Sequence, residues 1–153
     1  MTEPTTNAEP FIVFELAGTA YGLRSRDVRH LEMLEHVTPV PNAAPFVEGV
    51  VFSRGQVIPV VSLRARFGLE RAPYDLRTRL LVVQNEQRTV GLVTDSAREF
   101  LAFPANAIQP PHETINGLSG RYLEGIATLG ERIVLILNLA ETLNFADAAN
   151  AGN

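Results

Sequence analysis

Three histidines, His30, His36 and His112, are the side chains in this sequence best suited to ligate a metal or carry a proton. None has a second ligand at useful spacing, and no His-Glu-x-x-His pattern occurs, so they read as surface or structural residues. There is no cysteine, which removes disulfides, cysteine-ligated zinc and thiol catalysis together. Gly49 to Gly55 brackets a basic residue but lacks the Gly-Lys-Ser/Thr ending of a phosphate loop, and reads as a hairpin turn between two strands. Ser119, in Gly-Leu-Ser-Gly, does not stand in the Gly-x-Ser-x-Gly elbow of a nucleophile. Glu48 and Glu124 occupy equivalent places in an internal repeat and read as polar strand residues rather than a glycosidase pair. No catalytic apparatus, cofactor site or metal site is indicated. The residue with the most specific chemistry is Arg54: at a predicted turn before Gly55, a rigid guanidinium can hold several acceptors at once.

The rest of the composition narrows the setting. A chain of 153 residues can bury a sizeable core without staples. All thirteen basic residues are arginine and the net charge is −4, so a nucleic-acid-tracking surface is not expected. Residues 1–10 are polar and acidic, unlike a secretory signal, and the longest apolar run, Ile133 to Leu137, is far too short to span a bilayer. A cytoplasmic protein without direct membrane insertion is expected.

The elements that must position these residues are short and rich in Val, Ile, Leu and Phe, separated by Gly, Pro, Asn and charge, as in an all-β barrel or sandwich. Expected strands are Phe11–Leu16, Ala20–Leu23, Val47–Phe52, Val57–Val61, Leu80–Val83, Thr89–Val93, Phe100–Phe103, Tyr122–Leu129 and Ile133–Leu137. Gly18, Asn85 and Gly130 fall where turns favour positive φ. Ser62 and Asn138 are placed to cap short helices over Leu63–Phe67 and Leu139–Leu143. A third helical turn is expected from Ser25 to Leu31.

An internal repeat organises the chain. Phe46-Val47-Glu48-Gly49-Val50 matches Tyr122-Leu123-Glu124-Gly125-Ile126 at an offset of 76, and the same offset relates Val57–Leu63 to Ile133–Leu139. Earlier the offset is 69, pairing Ile12-Val13-Phe14 with Leu81-Val82-Val83 and Tyr21-Gly22-Leu23 with Val90-Gly91-Leu92. The difference of about seven residues is expected in the loop around His112 to Arg121. Two homologous halves, roughly 11–70 and 78–146, are expected between flexible tails at 1–10 and 147–153. Halves this small are marginal alone and should pack along an apolar seam.

The run Gly49-Val50-Val51-Phe52-Ser53-Arg54-Gly55-Gln56-Val57-Ile58-Pro59-Val60-Val61-Ser62-Leu63 resembles the Gly-Val-x-Asn-Leu-Arg-Gly-x-Val-x-Pro-Val-x-Asp-Leu signature of CheW-like domains. Phe14-x-Leu16, Tyr21-Gly22-Leu23 and Val28 precede it as in that family. Val90-Gly91-Leu92-Val93-x-Asp95 and Tyr122-x-x-Gly125 follow it. The resemblance covers Phe11 to about Phe145. It implies two pseudo-repeated, five-stranded SH3-like β-barrels packed together, with short helices. It also implies a non-catalytic adaptor coupling chemoreceptors to a chemotaxis-type histidine kinase. The groove between barrels would receive the receptor's cytoplasmic hairpin tip, and barrel ends would pair with the kinase's regulatory domain.

By the same resemblance the partner-binding residues are Val28, His30, Leu31, Gly49, Phe52, Arg54 and Gly55. The sequence departs from the family at Phe52-Ser53, where Asn-Leu is usual, and at Ser62, where Asp is usual. It departs again at His30, where an acidic residue often stands, so an acidic partner for Arg54 is missing from that position. Ser62 still caps a helix, whereas Phe52 and His30 bear on partner choice. A specialised adaptor for a surface-motility pathway, or a small-molecule-binding double-barrel module, are the alternatives.

Overall fold

The structure, a computed structural model, describes residues 8–111 and 119–145. The described chain is mostly β. Strands β1 (Glu9–Leu16) and β2 (Thr19–Arg24) form a first hairpin, and β3 (Val28–Met33), β4 (Val47–Ser53) and β5 (Gln56–Ser62) follow, ending in helix α1 (Leu63–Arg66). The pattern then repeats. Strands β6 (Arg79–Asn85) and β7 (Arg88–Thr94) form a hairpin, followed by β8 (Ser96–Phe103), the short β9 (Ile108–Gln109), β10 (Leu123–Leu129), β11 (Arg132–Leu137) and helix α2 (Leu139–Thr142).

The sheets do not coincide with the sequence halves. One sheet runs β8-β1-β2-β11-β10-β9 and the other β3-β6-β7-β5-β4, so each joins the first hairpin of one half to the later strands of the other. The joins are parallel: Ile136 lies opposite Gly22 and, at the repeat-equivalent position, Val60 lies opposite Gly91. Even the irregularities repeat. The β4–β5 ladder slips between Val47 and Gly49, and the β10–β11 ladder slips between Leu123 and Gly125. Gly49 and Gly125 are needed because a neighbouring segment approaches each closely: a Cβ on Gly49 would stand 2.0 Å from the Thr38 carbonyl oxygen, and one on Gly125 2.7 Å from Ile108.

This exchange explains the unbroken apolar runs of β1 and β6. Phe11 and Val13 face a cluster inside the first sheet with Phe103, Val134 and Ile136. Leu80 and Val82 face the equivalent cluster in the second with Ile58, Val60 and Val93. The alternate residues, Ile12, Phe14, Leu81 and Val83, all enter one central cluster between the sheets. A strand buried on both faces cannot alternate polar with apolar. The shared seam expected from the sequence is this central cluster, where Phe14, Tyr21, Phe67 and Tyr122 stack in series at centroid spacings of 5.1–5.9 Å. Emptying one such position, as in Phe67→Ala, typically costs about 3–5 kcal/mol.

Both helix caps form as the sequence implies: Ala65 N donates to Ser62 Oγ at 3.2 Å and Glu141 N to Asn138 Oδ1 at 3.0 Å. Three expectations need correction. Ser25 to Leu31 is not helical; a single 3-10 turn over Ser25–Asp27 gives way to β3. Glu9 and Pro10, expected in the tail, already pair with Phe103 and Ala102. Glu86 (φ 58°), not Asn85, takes the left-handed turn conformation, because Asn85 still pairs with Arg88. The offset of 69 persists through the β8 bulge, where Val13 opposes Glu99 as Val82 opposes His30. The added residues therefore fall between Phe103 and Tyr122, and residues 112–118, including His112, lie outside the described residues.

Because each sheet needs strands from both halves, the halves should not fold separately. Fragments 1–70 and 71–153 expressed alone are expected to be unfolded by circular dichroism, and to give one cooperative melting transition when co-expressed. A stably folded single fragment would contradict the exchanged topology.

Candidate functional site

The surface around Arg54 is built by two strands that no backbone ladder joins. Strands β3 and β4 are the two ends of the second sheet, and side chains connect them. Ser53 Oγ on β4 donates to Glu32 Oε2 on β3 at 2.5 Å, and His30 Nε2 lies 2.5 Å from the same oxygen and 3.3 Å from Ser53 Oγ. Alternation along β3 turns His30 and Glu32 inward toward this contact, and Arg29, Leu31 and Met33 outward.

Arg54 and Gly55 form the two-residue turn between β4 and β5, with φ of 49° and 88°. Two positive φ values are what a tight hairpin requires to match strand twist. Placing arginine rather than asparagine or glycine in the first position costs about 1–2 kcal/mol. The turn lifts the guanidinium clear of the sheet, leaving the side chain 69% exposed with its Nε 4.0 Å from Glu32 Oε2. Around it stand large exposed apolar groups: Phe52 and Val57, which face each other across the hairpin, and Leu31 and Met33 on the outer face of β3. Apolar exposure of this kind beside a charge marks a docking surface more often than incidental exposure.

Of the residues expected at the site, Leu31, Phe52, Arg54 and Gly55 share this surface, and His30 lies just beneath it. Val28 is half-buried against the central cluster, and Gly49 is buried under the Thr38–Pro39 backbone, so neither presents itself there. Position 30 supplies no carboxylate to Arg54, as expected; the nearest one is Glu32, two residues beyond His30 on the same strand face, at 4.0 Å. Sequence reading passed over Glu32, Met33 and Val57. Taking Val28–Met33 as a strand would have put His30 and Glu32 on one face.

Serine, histidine and glutamate in contact suggest a nucleophile, but the geometry is otherwise. A hydrolytic triad sets the serine on one imidazole nitrogen and the acid on the other. Here His30 Nε2 faces both, Ser53 gives its proton to the carboxylate, and Ser53 is buried. The contacts make a structural clasp.

A cavity of about 230 Å3 lies elsewhere, under the segment that links α1 to β6. Its charges are taken up by one another. Arg64 Nε and Nη2 donate to Asp95 at 2.9 and 2.6 Å, and Arg71 and Tyr74 both donate to Glu48. The Arg64 hydrogen bonds hold the Asp95 carboxyl below the usual carboxylate range, while burial, then the bond to Glu48, pushes the Tyr74 phenol up.

A family model described as CheW-like domain matches residues 10–147. The Chemotaxis protein CheW of Klebsiella aerogenes is 30% identical to the chain, covering 97% of it and 89% of its own length. Protein FrzA of Myxococcus xanthus is 27% identical over 90% of the chain and 87% of its own length. Among solved structures, that of the scaffolding protein TtCheW from Thermoanaerobacter tengcongensis superposes with a TM-score of 0.83 at 28% identity, covering 90% of this chain and 93% of that one.

The two glycines expected at the site, Gly49 and Gly55, have different roles. Gly49→Ala is expected to lower stability by about 3 kcal/mol through backbone displacement, and Gly55→Ala by about 1 kcal/mol through backbone strain alone. Denaturant melts of both variants check this, and equal losses would contradict it.

Proposed function

This chain belongs to the family of CheW-like domain proteins, and from that premise we propose that it is a non-catalytic scaffold coupling chemoreceptors to a chemotaxis-type histidine kinase. The match extends over nearly the whole chain, and relatives named as chemotaxis and scaffolding proteins align with 97% and 90% of it. The observation that carries the reading to this molecule is the exposed guanidinium of Arg54 set among Phe52, Val57, Leu31 and Met33 at an edge of the second sheet. An edge of this kind suits reversible pairing with another folded protein, since apolar groups supply the contact and one charge sets its register. The partners in this reading are the cytoplasmic hairpin tip of a chemoreceptor and the regulatory domain of the kinase, which places the protein in the cytoplasm. No helix among the described residues is long and apolar enough to cross a membrane.

The repeat supplies a second edge at the equivalent place on the other sheet. There Phe100 is the counterpart of Leu31 and Ile133 of Val57, and both are exposed. A scaffold that joins two partners needs two such surfaces.

Charge reversal tests the reading. Arg54→Glu is expected to leave thermal melting within about 0.5 kcal/mol of wild type, as for an exposed residue. It should abolish co-sedimentation with receptor and kinase, because losing an interfacial charge contact costs about 2–5 kcal/mol. Unchanged co-sedimentation would remove Arg54 from the docking surface, and a collapsed melt would make it structural.

A further inference from the structure

Glu32 is the nearest carboxylate to Arg54, yet it does not close on it. The single oxygen Oε2 is held by Ser53 and His30, each at 2.5 Å, and stands 4.0 Å from Arg54 Nε. Among the described residues the Nη atoms of Arg54 have no hydrogen-bond partner. The side chain therefore keeps the outer edge of its fork open to solvent, in the geometry that receives a carboxylate through two parallel bonds. His30 and Ser53 are both departures from the family signature, and both touch the same oxygen.

We propose that His30 and Ser53 are specificity-determining positioning residues that hold Glu32 back from Arg54, keeping the fork open for an acidic side chain flanked by apolar ones on the partner. Charge complementarity favours this occupant. The outer face carries the cations Arg54 and Arg29, the latter exposed beside Leu31 and Met33. Glu32 is only 25% exposed and already committed to the clasp. Phe52, at 75% exposure, and Val57, at 64%, would cover such an ion pair from water on binding, which strengthens it. If either clasp residue is lost, Glu32 can turn toward Arg54 and compete with the partner from within the same molecule.

This inference rests on the docking reading above, and epistasis separates the two. Affinity of the full chain is measured for a purified receptor cytoplasmic hairpin fragment and for a purified kinase regulatory domain, by calorimetry, with melting curves alongside. Wild type should bind at least one of them, and Arg54→Glu should not. The double variant His30→Leu/Ser53→Ala should bind that partner about tenfold more weakly, and adding Glu32→Gln should restore affinity to within about twofold, because the competitor is then gone. Restoration is the outcome that a merely structural role for His30 and Ser53 would not produce. A charge swap identifies the occupant: an acidic-to-arginine change in the bound partner should weaken wild type and recover binding to Arg54→Glu. If wild type binds but Glu32→Gln fails to rescue the double variant, or no acidic position in the partner complements Arg54→Glu, the inference is overturned and the docking reading stands. If wild type binds neither probe, both are overturned.

Discussion

Two short parallel pairings, β5 with β7 and β11 with β2, are the constraint from which the rest of this structure follows. Each fits the opening hairpin of one repeat into the sheet of the other. The hairpins consequently bury both faces, one inside their sheet and one at the seam, and the chain gains a central cluster that neither repeat could assemble. A half of about 70 residues would leave too much of its surface wet to be stable alone. The β11–β2 pairing also explains Gly22, where a Cβ would meet Val134 at 3.1 Å, whereas Gly91 answers to its own hairpin, where a Cβ would meet Leu80 of β6 at 2.8 Å.

With the hairpins exchanged, the strands left at the ends of each sheet carry the exposed chemistry. In the second sheet these ends are β3 and β4, and they are close enough to be joined by one carboxylate but are not paired by backbone. That arrangement makes the junction of the two strand ends depend on side-chain identity. A backbone ladder there would have formed with almost any residues, whereas the present seam needs Glu32, Ser53 and His30 together.

Much of this was legible beforehand because it is local. Ser62 and Asn138 announce their caps, Arg54-Gly55 its turn, and the paired offsets the repeat. The exchange was not legible, since offsets of 69 and 76 are the same whether a hairpin completes its own sheet or its neighbour's. Strand β3 was missed for a different reason. Its inward residues are the polar His30 and Glu32 and its outward ones the apolar Leu31 and Met33, the reverse of the usual half-buried strand. Local rules fail there because side-chain bonds to Ser53 across the sheet ends, rather than burial in the core, set which residues turn inward. The same inversion hid Glu32, whose importance lies in contacts with Ser53, 21 positions away.

The two edges of the duplicated frame differ at the clasp and at the turn. By the repeat register Glu99 stands in the first sheet where His30 stands in the second, Leu101 where Glu32 stands, Leu129 where Ser53 stands and Gly130 where Arg54 stands. The clasp and the turn arginine are thus absent from that edge, where Glu99 instead accepts from the Arg132 guanidinium at 2.7 Å. What the two edges keep in common is the backbone: the same bulges, the same hairpin, and an exposed apolar pair, Phe100 and Ile133 in one, Leu31 and Val57 in the other. Since backbone geometry is fixed by the packed seam and the tip residues are not, the two edges can diverge in chemistry without disturbing the core. A duplicated fold held together in this way is therefore able to present two chemically different edges, one with an exposed turn arginine and one with a Glu99–Arg132 ion pair, from a single folding unit.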